Sequence, residues 1–525
     1  MQPVTRKAVR PPWMLSVYKS LQIGLVAGLV IYGFAKVAAS FAYLNLQLFS
    51  ALRAQIIYWP LGMLFLLLIA FVADRLVWNE PNAGGSSISR VTRIVKDNRP
   101  IAWLRVTIFT VLATLLMFFS GSPLGIEGPS VMVGAGVSSG LGNRKERGRE
   151  EDRDALILAG AAAGFTAVTG AFLASVVFVL EEIHKKLCLH TALLTMVASS
   201  MAFLVYVGLN YWMGHPSHDF FHFTDWDAIG FFSPWLVVAG LGGALLAKGF
   251  NLQMELGNRW FARYMASVPR VFRYFYVLLF IMVLGLFVHE LLGSGHATLF
   301  GPLFSFEHSF TKLVVLLILK TFLIALANAS DMPGGMFVPT LVVAGLYGAI
   351  LSMILFRAGL SPAHGPIFTL AFMAAFFSAT MKAPLTAMLF FTEVTLFATA
   401  SLAVLPAIGV SALLSMALST GSVNDLLIET NDVLKLASHR RRTFRVVLKA
   451  NESFSLPQVH KTLKKEAIHL KGVNFKDDPF YTELTSKKVK IGAGDALTLD
   501  IANEDIHKLE STLKRLYAHY ELDLI

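Results

Sequence analysis

The stretch GSPLGIEGPS, residues 121–130, places a carboxylate between long apolar segments. A charge at membrane depth is costly and is taken as functional by default. Gly125, Gly128 and Pro129 flank Glu127, and this pattern predicts that one helix ends and another begins here. A helix that begins inside the protein presents unpaired N–H groups and the positive end of its dipole. The stretch therefore predicts an anion site with a protonatable carboxylate beside it.

The composition is that of a polytopic membrane protein. Of the 525 residues, 55% are hydrophobic and 15% are charged, and the mean hydropathy is +0.61. Soluble proteins carry about 25% charged residues. Apolar segments recur along the chain, and several are short or interrupted by Gly or Pro, which is typical of transporters with broken helices. They are 21–48, 59–72, 272–292, 313–327, 341–356 and 384–418.

The charge distribution predicts the orientation in the membrane. The net charge is +11, and basic residues concentrate at 6–10, 144–153 and 439–445. By the positive-inside rule these segments are cytoplasmic, so both termini are expected in the cytoplasm. The membrane is expected to be a bacterial inner membrane. The N-terminus shows no cleavable signal pattern. Cys188 is the single cysteine, so an intramolecular disulfide is excluded. Nothing indicates nucleic-acid binding.

Three domains are expected from the fall in hydropathy near residue 438. Residues 1–16 form a cytoplasmic N-terminal segment, 17–438 the membrane domain, and 439–525 a small cytoplasmic α+β domain. The last of these alternates β-like runs with amphipathic helical patterns. The β-like runs are 443–449, 488–491 and 496–501, and the helical patterns are 456–467 and 504–517.

The membrane domain contains a duplication, roughly 17–230 and 231–438. Residues of the same type recur about 212 positions apart, and the sequence leaves open whether the two halves are parallel or inverted. Two homologous halves with interrupted helices place a ligand site at their interface, near the midplane. The first-half residues are Ala159, Ala162, Ala163, Phe165, Ala167, Ala171, Leu173, Phe178 and Glu181; their counterparts are Ala371, Ala374, Ala375, Phe377, Ala379, Ala383, Leu385, Phe390 and Glu393.

Three glycine-rich breaks are candidates for binding a small anion. They are GGSSI at 84–88, GIEGP at 125–129 and PGGMFVP at 333–339. The hydroxyl of Ser86 and the backbone N–H groups of Met336 and Phe337 are neutral donors. A weakly hydrated anion such as chloride needs such donors, because conduction requires that the ion can also leave. The alternative is that these glycines only permit close helix packing.

Two further groups of titratable residues stand out in the sequence. Glu181 and Glu182 end an apolar run, where an acid could collect protons from the cytoplasm; the alternative is a solvated helix end. A histidine-rich stretch is more typical of a solvated loop than of a metal site, so no metal is expected. Its residues are His215, His218, Asp219, His222 and Asp225.

These motifs together resemble the CLC family of chloride channels and chloride/proton exchangers. The resemblance runs from about residue 17 to 437, in the same order throughout. It implies an all-α inverted-repeat bundle of tilted and broken helices, assembled as a homodimer with one pathway per subunit. The anion-binding residues that it implies are Ser86, Ile88, Gly125, Gly335, Met336, Phe337 and Asn424.

The resemblance also implies a transport mechanism. GIEGP matches the family's gate element, which makes Glu127 the external gating glutamate, and Glu182 falls on the position of the exchangers' internal proton glutamate. Having both acids favours a chloride/proton antiporter over a channel. Chloride and protons are then the transported ions, with no cofactor and no chemical conversion of a substrate; no nucleophile–base pair or phosphate-binding loop indicates an enzyme.

The sequence departs from the family pattern at three places. Ile126 replaces a basic residue before the gate, and Ser87 and Ser89 replace Gly and Pro after the central serine. The family's anion-coordinating tyrosine has no counterpart, and Asn424 is its best match within 419–428. This last change favours the alternative of a passive or weakly coupled chloride channel. A carrier of another small anion, fluoride or nitrate, is the other alternative, against which Ser86 argues.

The C-terminal domain carries a resemblance of its own. The stretch GAGDALTL, residues 492–499, followed by a helical pattern, resembles the C-terminal ligand-sensing lobe found with potassium-transport regulators (RCK-C-like). It implies a small-molecule or ion ligand and a regulatory or dimer-stabilising role.

Overall fold

A computed structural model gives two compact units, Met1–Asn431 and Asp432–Ile525. The predicted domain limits at 16 and 438 stay a prediction. The structure describes 12–97, 99–142, 150–214, 230, 233–265, 267–395, 398–418 and 421–426 in the first unit, and six short strands between 444 and 524 in the second.

The described part of the first unit is helical. Eight of its helices, taken with the short 3₁₀ turns that lead into two of them, are long and apolar enough to cross a membrane: α1, α2, α8, α9, α10, α12, α13 and α14. The helices are α1 Pro12–Ala54, α2 Trp59–Asn79, α3 Ser87–Lys96, α4 Trp103–Phe119, α5 Glu127–Gly142, α6 Glu150–Thr169, α7 Phe172–Phe178, α8 Leu189–Trp212, α9 Pro234–Met265, α10 Arg270–Phe287, α11 His296–Phe304, α12 Phe310–Ala329, α13 Phe337–Phe356, α14 Gly365–Met381, α15 Pro384–Thr395 and α16 Ala398–Ala417.

Two of the predicted apolar segments need correction. The segment 384–418 is two helices, α15 and α16, and not one span. The segment 59–72 is part of a helix that continues to residue 79. The predicted apolar segment stopped before Asp74 and Arg75, which lie in the last turns of this helix. The Arg75 guanidinium lies 5.1 Å from the centre of the Phe71 ring, and Asp74 lies 3.9 Å from Arg270, so both charges have partners.

The two halves of the membrane unit cap each other's helices. Glu181 accepts hydrogen bonds from two backbone N–H groups in the first turn of α15, at 3.2 and 2.9 Å. Glu393 accepts from two N–H groups in the first turn of α7, both at 2.8 Å. Because these residues are equivalent in the duplication, each half gives the other the same contact. Such reciprocity is what an approximate twofold axis between the halves produces.

An aromatic cluster from both halves packs around the start of α13. The Phe337 ring lies 4.8 Å from Phe165, 6.2 Å from Phe178, 4.9 Å from Phe377 and 5.0 Å from Phe390, measured between centroids. All five rings are fully buried. Four of them form two pairs that are equivalent in the duplication. The cluster therefore fixes the N-terminus of α13 at the interface of the two halves.

The second unit contains two antiparallel sheets. The larger has the strand order β3-β5-β1-β6, and β2 pairs with β4. The predicted run 496–501 coincides with β5, and the runs 443–449 and 488–491 overlap β1 and β4. The predicted helices at 456–467 and 504–517, and residues 492–495, lie outside the described residues. The strands are β1 Phe444–Lys449, β2 Phe454–Ser455, β3 Leu470–Asn474, β4 Lys490–Ile491, β5 Ala496–Ile501 and β6 Leu522–Leu524. The predicted fold class, a helical membrane bundle with a small C-terminal domain, is confirmed.

Candidate anion and proton site

Two of the glycine-rich breaks pair directly with each other. The backbone N–H of Gly125 donates to the carbonyl of Gly335, and the N–H of Gly335 donates back to Gly125, both at 2.7 Å. Helix α5 begins two residues after Gly125, and α13 begins two residues after Gly335. The N-termini of these helices, one from each half, therefore meet at one point.

The third break joins the same point. Ser86 forms a β-bridge with Gly334, and the N–H of Gly85 donates to the carbonyl of Asp331 at 3.0 Å. Helix α3 begins at the residue after Ser86. Three helix N-termini thus converge, and their unpaired N–H groups and positive dipole ends make this place favourable for an anion.

Glycine is required where the breaks touch. A Cβ atom at residue 125 would collide with Oε2 of Glu127. A Cβ at residue 335 would lie 2.6 Å from the backbone nitrogen of Gly128, and one at residue 128 would lie 2.9 Å from the Cα of Gly335. The approach of backbone to backbone, and of backbone to the glutamate, is possible only without side chains.

Glu127 is the first residue of α5, and it is only 6% exposed. The backbone N–H groups nearest to its carboxylate are its own and that of Val338, in the first turn of α13. Its Oε2 atom has no hydrogen-bond partner among the described residues. The carboxylate therefore lies at the N-terminus of α13, in a place that suits a free anion.

The other residues predicted to bind an anion lie around this point. Ser86 occupies the N-cap position of α3, without a side-chain hydrogen bond to the helix, and is 3% exposed; Ile88 is the second residue of that helix. Met336 precedes α13 and Phe337 begins it, and both are buried. The structure thus brings Ser86 and Ile88 of the first half together with Met336 and Phe337 of the second.

Glu182 lies in a π-helical turn, Val179–His184, which continues α7. It is 2% exposed, so the solvated-helix-end interpretation is wrong for this residue. Its Oε1 accepts hydrogen bonds from the hydroxyl of Ser422 at 2.5 Å and from the side-chain amide of Asn424 at 2.8 Å. The glutamate is therefore held by the segment 421–426.

Asn424 is turned toward the glutamate. Its Nδ2 donates to Glu182 and lies 3.5 Å from the sulfur of Met381, while its backbone carbonyl accepts from the hydroxyl of Ser89 at 3.1 Å. Its role as an anion ligand stays a prediction. The contacts of Ser422 with Glu182 and of Ser89 with Asn424 were not predicted from the sequence. Two polar side chains two residues apart, in a segment already matched to the inner gate, were the available signal.

An ion pair beside the anion site was also missed. The Arg90 Nη2 atom in α3 lies 2.7 Å from Oδ1 of Asp331, whose side chain is 17% exposed. The carbonyl of Asp331 also accepts from the hydroxyl of Tyr274 at 2.8 Å. The two charged residues are 241 positions apart, so no local pattern predicts their contact.

A buried lysine lies behind the gate segment. Lys320, in α12, is fully buried and donates to the carbonyls of Leu291 and Gly293 at 3.0 and 2.5 Å. The N–H of Gly293 donates in turn to the carbonyl of Gly121, at 3.1 Å, where the gate segment begins. Ile126 packs against an apolar cluster and brings no charge. The described residues contain no group of His, Cys, Asp and Glu that could hold a metal ion; the histidine-rich stretch lies outside them.

Comparison with known proteins places the chain in a family. The family model described as voltage gated chloride channel matches residues 62–416, more than half of the chain. The chain belongs to this family, the CLC proteins. The H(+)/Cl(-) exchange transporter ClcA of Vibrio cholerae (strain M66-2) is 28% identical over 393 residues, which cover 72% of this chain and 81% of the relative. ClcA of Citrobacter koseri is 25% identical over 390 residues, covering 71% and 79%.

Solved structures show the same fold. The crystal structure of a slow cyanobacterial Cl−/H+ antiporter superposes with a TM-score of 0.71 and 22% identity, over 80% of this chain and 98% of the other. A CLC-type fluoride/proton antiporter gives 0.64 and 20% identity, over 79% and 98%. This CLC protein is therefore a multi-pass membrane protein of a chloride-transport family with the inverted-repeat architecture.

Proposed function

We propose that this CLC protein is a secondary active chloride/proton antiporter gated by Glu127. The observation that carries the proposal is the burial of the Glu127 carboxylate where the N-termini of α5 and α13 meet, near the backbone N–H of Val338. An ionised Glu127 competes with chloride there as a tethered anion. A protonated Glu127 loses its charge, leaves the helix terminus and admits chloride. Each time chloride and the Glu127 carboxylate exchange places at the helix terminus, a proton moves in the direction opposite to chloride.

The remaining site residues have complementary roles in this proposal. Chloride binds between the helix N-termini, near Ser86 and the N–H groups of Met336 and Phe337; Ile88, Gly125 and Gly335 complete the site. Neutral donors suit this task because a direct contact with a full positive charge would hold the ion too tightly. Glu182 passes protons between this region and the cytoplasm.

Proton movement in proteoliposomes under an imposed chloride gradient, with the voltage held near zero, tests the proposal. We expect chloride flowing down its gradient to drive protons uphill. Glu127→Gln should remove proton movement while chloride still passes, and Glu182→Gln should remove proton movement from the inner side. Glu255→Gln is the control, because the ion pair of this acid, with Arg259, lies within α9 and involves none of the proposed site residues. A variant of Glu127 or Glu182 that still pumps protons like the parent contradicts its assignment.

A weakly coupled or passive chloride channel is the second candidate. It is favoured by Asn424, which stands where the family has a tyrosine and whose amide is engaged by Glu182. Without an aromatic hydroxyl, the inner closure beside Ser86 is less complete. Chloride flux without proton movement in the same assay would support this candidate. Repeating the assay with fluoride and nitrate decides the transported anion.

The assembly and orientation belong to the same proposal. We expect a homodimer with one pathway per subunit, in a bacterial inner membrane, with residues 1–16 and 439–525 in the cytoplasm. The described surface of the membrane unit is rich in exposed large apolar side chains, as lipid and subunit contacts require. The mass of the purified protein in nanodiscs tests the dimer.

A further inference from the structure

A short segment ties the inner glutamate to the anion serine. Residues 421–426 begin a helix, with the hydroxyl of Ser422 accepting from the N–H of Asn424 at 3.2 Å. The segment contacts Glu182 through both side chains and contacts Ser89 through the carbonyl of Asn424. Asn424 is 3% exposed, so solvent does not replace these contacts. One residue thus touches the proton side and the anion side of the pathway.

Ser89 completes the link to the anion site. Its hydroxyl lies 3.3 Å from the hydroxyl of Ser86 and 3.1 Å from the carbonyl of Asn424. A serine hydroxyl has one hydrogen to donate and can accept as well. Ser89 is the donor in both contacts, so its one hydrogen is shared between the oxygen of Ser86 and the carbonyl of Asn424. When Ser86 donates its own hydrogen to an anion, its oxygen becomes a better acceptor, which draws the Ser89 hydrogen toward Ser86 and away from Asn424.

The other end of the link responds to the proton. Ser422 and Asn424 both donate to Oε1 of Glu182, and a bond to an ionised carboxylate is about twice as strong as one to a neutral acid. Protonation of Glu182 therefore loosens its hold on Asn424. The charged groups that act on Glu182 are Lys185, at the end of its own π-helical turn, and Asp425, in the segment 421–426; they pair with each other at 2.5 Å.

We propose that Asn424 is a positioning residue that couples the proton step at Glu182 to the anion step at Ser86. Its side chain orients the inner carboxylate, and its carbonyl orients Ser89 beside the anion serine. The inference rests on the proposed antiport. It assigns to the residue at the tyrosine position a task different from closing the inner gate.

Two variants break the link at its two ends. Asn424→Leu keeps the side-chain size and the backbone carbonyl but removes the amide that holds Glu182. Ser89→Ala removes the hydroxyl between Asn424 and Ser86. Asn210→Leu, in α8, is the matched control for the first variant. Asn210 is also 3% exposed, and its side chain accepts a hydrogen bond from the hydroxyl of Tyr32 at 2.8 Å. Ser411→Ala is the control for the second, since this buried serine donates to the carbonyl of Ala375.

The experiment measures chloride efflux and proton uptake in parallel, in proteoliposomes of each full-length variant. We expect Asn424→Leu to lower the ratio of protons to chloride about tenfold, the effect of one lost hydrogen bond to a charged group. Ser89→Ala should lower the same ratio about threefold. Asn424→Gln, which keeps the amide, should recover most of the ratio. Both controls should keep the parent ratio, even where their total rates fall.

The outcomes separate the inference from the function on which it rests. A parent that moves chloride without protons overturns both. A coupled parent together with an unchanged ratio in Asn424→Leu overturns the inference alone, as does an equal loss of both fluxes. A parent-like ratio in Ser89→Ala removes the connection to the anion side and also overturns it. If Asn424→Leu does not fold, Ser89→Ala and Asn424→Gln still decide the matter.

Discussion

At the scale of single residues, Asp331 combines an unusual backbone with three contacts. Its φ angle is 64°, in the left-handed region that favours glycine. Its carbonyl accepts from Gly85 and Tyr274, and its carboxylate pairs with Arg90. The pair joins α3 of the first half to the segment before α13 of the second. It therefore holds two of the three anion-site breaks in register.

Asp331→Gly tests this ion pair with little risk to the fold. Glycine accepts the left-handed backbone readily, while the bond to Arg90 is lost. We expect the thermal midpoint to change little and the affinity for chloride to fall roughly fivefold, as suits a partly buried pair worth about 1 kcal/mol. Chloride titration by calorimetry measures the affinity.

Asp97→Ala is the control for that experiment, because its pair with Arg99 is a surface contact at 2.6 Å. We expect this variant to bind chloride like the parent. Unchanged affinity in Asp331→Gly would show that the anion site is held without the ion pair.

The residues that the sequence predicted and those that it missed differ in one physical respect. Glu127 and Ser86 could be predicted because each lies in a local sequence pattern whose glycines indicate the start of a helix. Arg90 with Asp331, and Ser422 with Glu182, are contacts between distant parts of the chain. They depend on how the two halves pack, and no spacing in the sequence encodes that.

At the scale of elements, the reciprocal caps make the duplication testable. Each carboxylate meets two N–H groups at the start of a helix from the other half, where a negative charge also complements the dipole. We expect Glu181→Gln and Glu393→Gln each to destabilise the protein by about 1 kcal/mol. Because the positions are equivalent, the two thermal midpoints in detergent should fall by similar amounts.

Glu255→Gln serves as the control here as well, because its pair with Arg259 lies within a single helix and is exposed on one side. Its midpoint should stay within the error of the parent. A fall in only one of the two cap variants would mean that the caps are not equivalent, and that the twofold relation does not extend to this contact.

The ends of helices were harder to predict than their starts. The predicted apolar segment stopped before the first charged residues of α2. The side chains of Asp74 and Arg75 have partners, and the helical backbone continues past them. The pattern of apolar residues also merged α15 with α16, because both are apolar and the separation between them carries no charge. Hydropathy measures what a segment contacts, and it does not record where its hydrogen-bond ladder stops.

At the scale of the whole molecule, every residue assigned to transport lies in the first unit. The proposed site runs from Ser86 to Asn424, and the second unit begins at Asp432. The second unit has sheets of its own, paired only among its own strands in the described residues. The regulatory role predicted for this unit is compatible with that division, since none of the proposed site residues lies in it.

Truncation after residue 438 tests the division of labour. We expect the shortened chain to fold, to enter the membrane and to exchange chloride for protons within about twofold of the full-length rate. None of the proposed contacts is lost, so the barrier to transport should change by less than about 0.4 kcal/mol, which corresponds to a twofold change in rate. Size-exclusion profiles and thermal midpoints first establish that the shortened protein is folded. A folded but inactive protein would show that residues 439–525 are essential for transport. An active protein would be consistent with a regulatory role for these residues.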